Sequence, residues 1–244
     1  MKLRVFANVA LLAGAAADFL VQKARAAVHE RGQFIIALSG GTSPAALYQR
    51  LAQPHYADQI DWEHVHVFWS DERAVPPEHT DSNFRTAWEI LLQNVPIPPA
   101  NVHRIKGELP PAEAAALANR DLAAVFAQAA LPKFDLILLG LGDDGHTASL
   151  FPASQALNSD IPWVAANYIA KLAAWRLTFT LPLINAARQI VFLVSGESKA
   201  KTVKAVIEER SEALPASKVQ PLLGDLHWFL DRAAAGELSQ TLGD

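Results

Sequence analysis

The chain has 244 residues, 51% of them hydrophobic and 19% charged, which excludes a disordered polymer and suits one large α/β domain or two small ones at ~150 residues each. Twenty-one basic against 25 acidic residues leave a formal charge of −4, no footprint for nucleic acid or an anionic membrane surface, though compatible with a small basic pocket. The absence of cysteine excludes disulfides, iron–sulfur clusters, cysteine-ligated zinc and thiol catalysis.

Lys2 and Arg4 precede an apolar stretch from residue 5 to 17, a pattern shared with secretory leaders. The pattern nevertheless runs on past any cleavage point. It reads as a short strand over 3–6, then a helix capped by Asn8. Leu12, Phe19, Leu20 and Ala27 follow at helical spacing, with Asp18, Gln22, Lys23 and Arg25 interleaved and Gly32 as terminator. A retained N-terminus is therefore expected, and no apolar run reaches the ~18 residues of a membrane-spanning helix.

Farther along, apolar runs alternate with helical patterns. The runs 34–38, 65–69, 134–139 and 189–194 lack polar alternation, as strands buried on both faces do. Helical stretches fall at 44–51, 83–92, 112–130 and 199–210. Residues 175–180 suit an additional or edge strand and 228–230 a last short one, while the proline-rich 95–99 reads as a rigid surface connection. No linker interrupts the series. The expectation is a single doubly wound α/β domain over 1–244, its sheet mostly parallel with helices on both faces.

Ligands of such sheets bind beyond the carboxyl ends of the strands, and the unusual residues cluster there. Ser39-Gly40-Gly41-Thr42-Ser43-Pro44 turns from a strand into a helix. Its N–H groups could hold an anion or a sugar, or the loop could be a plain tight turn; it lacks the lysine of a Walker A loop. Gly140 to Gly145 matches GxGxxG, but Asp143 and Asp144 at the variable positions would repel a pyrophosphate, and the strand comes late in the chain. Asp144 and His146 form the sharpest pair: a carboxylate two residues from a histidine can hold one ring nitrogen and free the other as a base. A rival reading makes Asp143, Asp144, His146 and Asp71 a metal site, yet no second loop offers the histidine usual for zinc. Asp71-Glu72-Arg73 ends another strand, either as a surface ion pair or as ligands. Arg176 and Lys199 are further cations, Lys199 at a helix start that its charge disfavours. No G-x-S-x-G elbow exists, so a hydrolase here would activate water.

Four segments, ALSGGTSPAALYQRL, VFWSDERAVPPEHTDSNFRTAWEILL, FDLILLGLGDDGHTASLFP and WRLTFTLPLINAARQIVFLVSGESKA, resemble the 6-phosphogluconolactonase family in order and spacing across essentially the whole chain. The related glucosamine-6-phosphate deaminases share Asp-Gly-His but continue with isoleucine-alanine-phenylalanine-asparagine-glutamate. Here Thr147-Ala148-Ser149-Leu150-Phe151-Pro152 follows, the lactonase form. The resemblance implies a cytoplasmic, cofactor-free and metal-free enzyme of the oxidative pentose phosphate pathway, monomeric or a small homo-oligomer. It would hydrolyse 6-phospho-D-glucono-1,5-lactone, with no nucleic-acid or membrane partner. His146 would be the base, Asp144 its orienter and Arg73 the oxyanion stabiliser. Arg176 and Lys199 would bind phosphate, Ser39, Gly40, Gly41 and Thr42 the sugar or its phosphate, and Asp71 would hold Arg73 or a hydroxyl. A deaminase and a non-catalytic sugar-phosphate sensor are the alternatives.

Overall fold

The computed structural model describes residues 1–127, 129–158 and 163–239. Its elements in chain order are β1 (Lys2–Phe6), α1 (Val9–Arg31), β2 (Phe34–Leu38), α2 (Thr42–Leu51), α3 (Pro54–Ala57), β3 (Val65–Trp69), β4 (Asp71–Arg73), α4 (Asn83–Ile90), α5 (Pro111–Val125), β5 (Leu136–Leu139), β6 (Val164–Ile169), β7 (Ala174–Phe179), α6 (Leu181–Asn185), β8 (Gln189–Val194), α7 (Ala200–Ile207) and β9 (Asp225–Asp231). The local signals behave as their chemistry requires. Asn8 caps α1 by accepting the Leu11 N–H at 3.0 Å, and Gly32 closes it in the left-handed region at φ +75°. Every residue of β2 is buried.

Six strands form one parallel sheet in the order β1-β9-β8-β5-β2-β3. From β2 the chain crosses outward to β3, whereas from β5 it crosses the other way to β8 and β9. The strand order therefore reverses between β2 and β5, which opens a crevice at their carboxyl ends. The N-terminal segment is integral to this sheet. Lys2 to Phe6 pair in register with His227 to Asp231, and Leu12, Ala13, Ala16, Ala17 and Leu20 are buried. Among the described residues no helix is long and apolar enough to cross a membrane.

The structure differs from the sequence reading in three places. A second, antiparallel sheet of order β4-β7-β6 adjoins the main one. The strand expected over 175–180 is its centre, not an edge, and β6 had no sequence signal. Its centre, Ala165-Ala166-Asn167, is made of residues depleted in strands, and buried Asn167 is held by donating to the Ser149 carbonyl at 2.8 Å and to Ser154 Oγ at 3.1 Å. The last strand is seven residues long rather than three. His227 hid it, a polar residue whose Nε2 meets Gln189 Oε1 at 2.9 Å inside the sheet. The helix expected over 112–130 stops at Val125, and Ala127 takes φ +49°. One continuous apolar cluster joins Leu38, Leu138 and Phe192 of the large sheet to Val164, Leu177 and Phe179 of the small one.

Candidate active site

A cleft of about 440 Å³ lies at the switch point, lined by the loops that follow β2, β5 and β8 and by the small sheet. After β2, the chain turns through Ser39 and Gly40, and Gly41 adopts φ +105° to start α2. The turn is held from behind: the Tyr48 hydroxyl donates to the Ser39 carbonyl at 2.6 Å and accepts the Ser39 N–H at 3.0 Å. Burial pushes that phenol well above its ordinary range, so it stays neutral. No side chain caps α2 at Gly41. Gly41, Thr42 and Ser43 line the cleft, a helix start polarised to receive an anion.

Strand period explains the Asp71-Glu72-Arg73 triplet, because alternate residues of a strand point to opposite sides. Asp71 and Arg73 line the cleft. Glu72 points away and satisfies the start of α4, accepting the N–H groups of Arg73, Asn83 and Phe84 at 2.8 Å each and the Ser82 hydroxyl at 3.1 Å. Burial raises the Glu72 pKa against these bonds, which lower it. The triplet is no surface ion pair, since Asp71 and Glu72 are both buried. Nor does Asp71 hold Arg73, as one expectation had it. Its carboxylate accepts from Ser149 Oγ at 2.7 Å and Asn83 Nδ2 at 3.3 Å, while Arg73 donates to the Asp81 carbonyl. Arg73 stands opposite Arg176 of β7 in the antiparallel register. Burial, and then the charge of Arg73, lower the Arg176 pKa.

After β5 the loop folds tightly on itself. Gly142 donates to the His146 carbonyl at 2.8 Å, Gly145 donates to the Gly142 carbonyl at 2.9 Å, and Gly145 takes φ +76°. This turn brings His146 Nδ1 to 2.5 Å from Asp144 Oδ1, which also accepts the His146 N–H at 3.2 Å. With Nδ1 occupied as donor, Nε2 is the basic nitrogen. The imidazole stacks on Phe151, centroids 4.1 Å apart at 22°. Burial lowers its pKa below the ordinary value; Asp71 and Asp143 oppose the shift and Lys199 and Arg73 add to it. Burial thus favours the neutral ring, the form in which an imidazole can accept a proton.

Lys199 sits in a 3-10 turn just before α7. Its mismatch with the helix start is resolved across the cleft, where Nζ meets Asp143 Oδ1 at 2.6 Å. The four residues of the metal reading are otherwise engaged: Asp143 with Lys199, Asp144 with His146 and Lys171, and Asp71 with Ser149 and Asn83. No metal-holding group of three or more such side chains gathers among the described residues.

All of Ser39, Gly40, Gly41, Thr42, Asp71, Arg73, His146, Arg176 and Lys199 line this one cleft, and Asp144 braces His146 from the side. Sequence reasoning passed over Asn83, Ser149, Phe151 and Lys171. The first three lie inside the quoted motifs. Lys171 follows the unsignalled β6 and had nothing to mark it.

Fold and site together define a mostly parallel α/β enzyme with a histidine–aspartate pair at a cleft that also holds Arg73, Arg176 and Lys199. The chain belongs to the family described as glucosamine-6-phosphate isomerases/6-phosphogluconolactonase, whose profile matches residues 7–228. It is 45% identical over 217 residues to a 6-phosphogluconolactonase of Synechocystis sp., covering 87% of this chain and 88% of that one. It is 41% identical over 219 residues to the chloroplastic 6-phosphogluconolactonase 3 of Arabidopsis thaliana, covering 86% of this chain and 66% of the relative. The solved structure of 6-phosphogluconolactonase from Trypanosoma brucei superposes with a TM-score of 0.83 at 28% identity, covering 98% of each chain.

Proposed function

We propose that this chain hydrolyses 6-phospho-D-glucono-1,5-lactone to 6-phospho-D-gluconate, an oxidative pentose phosphate step, in a single domain acting in the cytoplasm. The observation that carries the reading is the Asp144–His146 bond beside a cleft lined by His146 and also by Arg73, Arg176 and Lys199. The relatives' names and the lactonase form of the loop support it.

His146 Nε2 takes a proton from water as the water oxygen bonds to C1 of the lactone. The carbonyl oxygen becomes an oxyanion beside Arg73. Collapse breaks the bond from C1 to the ring oxygen, which takes the proton back from the imidazolium. The new carboxyl group then loses its proton to solvent. Asp144 keeps the tautomer and stabilises the imidazolium. Arg176 and Lys199 bind the phosphate, Ser39 to Thr42 contact the sugar or its phosphate, and Asp71 accepts a sugar hydroxyl.

Turnover of lactone generated in the cuvette, with the uncatalysed rate subtracted, tests this. His146→Ala is expected to lose ~10²–10⁴ in kcat with substrate affinity nearly intact. A folded His146→Ala protein keeping more than about a tenth of wild-type kcat overturns the mechanism. Wild-type protein with no turnover is a sensor, and ammonia released from glucosamine 6-phosphate marks a deaminase. Intact-mass measurement on protein from the native host tests location, since a cleaved leader would remove β1.

A further inference from the structure

Asp144 has two carboxylate oxygens, and both are used. Oδ1 takes the ring and backbone N–H of His146. Oδ2 takes the ammonium of Lys171, which lies in the turn between β6 and β7. The same ammonium stands 4.7 Å from the centroid of the Phe151 ring, the ring on which His146 stacks. Lys171 thus touches both supports of the imidazole, the carboxylate that orients it and the aromatic face that packs it. Its side chain is 52% exposed, so water would solvate it freely were it turned outward. A lone surface ion pair is worth at most ~1 kcal/mol, but this one shares its carboxylate with the base.

The geometry points to Lys171 as a positioning residue that holds the Asp144 carboxylate against the imidazole and offsets its negative charge. This rests on the reading of His146 as the base. Asp144, Asp143 and Asp71 favour the imidazolium electrostatically; Lys171, Lys199 and Arg73 disfavour it. Removing Lys171 leaves the Asp144 charge uncompensated, so the imidazole holds its proton more tightly and less of it is free to act as base.

Lys171→Met and Lys171→Arg in the full-length protein test this by two readouts. The first is NMR titration of the His146 imidazole without substrate; the second is kcat and KM against pH on fresh lactone. Lys171→Met is expected to raise the imidazole pKa by roughly 0.5–1 pH unit. The acid limb of kcat should move with it, lowering kcat on that limb about three- to tenfold while KM stays within about twofold. Lys171→Arg should restore both. An unmoved imidazole pKa in Lys171→Met, or Lys171→Arg behaving as Lys171→Met does, overturns the inference. A raised KM with the limb unmoved overturns it too and makes Lys171 a substrate ligand. An imidazole pKa that moves while the kcat limb does not upholds Lys171's hold on the ring and overturns the base assignment of His146 instead.

Discussion

Arg73 and Arg176 stand directly opposite each other on neighbouring antiparallel strands, at a half-buried edge of the cleft. Like charges so placed repel, and the lowered Arg176 pKa reflects burial first and Arg73 second. A dianionic ligand would relieve that repulsion, in line with the proposed phosphate contact of Arg176. A charge-assisted hydrogen bond contributes ~1.5–3 kcal/mol. Arg176→Ala is accordingly expected to raise KM for the phosphorylated lactone roughly 10- to 150-fold. Residual activity on unphosphorylated gluconolactone should barely change, and the stabilisation of the wild type by inorganic phosphate in thermal melts should shrink. Equal losses on both lactones would show that Arg176 does not contact phosphate.

Gly142 is fixed by the His146 ring rather than by its own backbone. A Cβ at this position would collide with the His146 imidazole at Nδ1 and Cε1, the edge that bonds Asp144. Overpacking costs typically ~1–3 kcal/mol, and here the group displaced is the proposed base. Gly142→Ala is expected to lower kcat at least about tenfold, with the melting temperature lowered by about 2–12 °C. Wild-type kcat in the variant would place the functional ring elsewhere.

What could be read from the sequence tracks burial and chemistry. The strands β2, β3 and β8 lie within continuous apolar runs whose burial on both faces leaves no competing pattern. The segments after β2, β3 and β5 stood out because Gly-Gly, Asp-Glu-Arg and Asp-Asp-Gly-His make poor core and poor helix. Convergence of those loops was not legible, because it depends on the order β5-β2-β3, which no local signal encodes. The small sheet was missed for a different reason. β4 is three residues of charge whose pairing with β7 is purely tertiary, and β6 buries Asn167 through partners in another loop. Lys171 was lost along with β6.

Part of the acid stability follows from a histidine outside the cleft. His227 lies within β9, and burial lowers its pKa to about 4, below the ~6.5 of an unfolded chain. The unfolded state therefore binds a proton first as pH falls. The contribution of His227 to stability is complete above ~6.5 and erodes as pH drops from there to about 4. His227→Gln keeps a donor for Gln189 while removing the titration. The variant is expected to lose fewer degrees of Tm between pH 7 and pH 5 than the wild type, by on the order of a few degrees, whatever constant offset comes from lost packing on Phe19. Parallel Tm curves would contradict this.

The rate profile is the sharpest test of the histidine pair. A general base acts in its neutral form, so kcat falls as pH drops through its pKa. Burial lowers the His146 value, with Lys199 and Arg73 adding to the shift and Asp71 and Asp143 opposing it. The acid limb of wild-type kcat is therefore expected below ~6.5, leaving activity flat at neutral pH. Asp144→Asn removes the carboxylate that stabilises the imidazolium, so its limb should move further to acid. Its kcat loss should be smaller than that of His146→Ala, because orientation and charge stabilisation suffer while the base remains. The residual activity of His146→Ala should show no limb in this range. Rates measured from pH 5 to 8 on fresh lactone, with uncatalysed hydrolysis subtracted at each pH, decide the matter. A limb centred above 7 in the wild type, or one that survives in His146→Ala, assigns the proton to another group and leaves His146 a packing residue against Phe151.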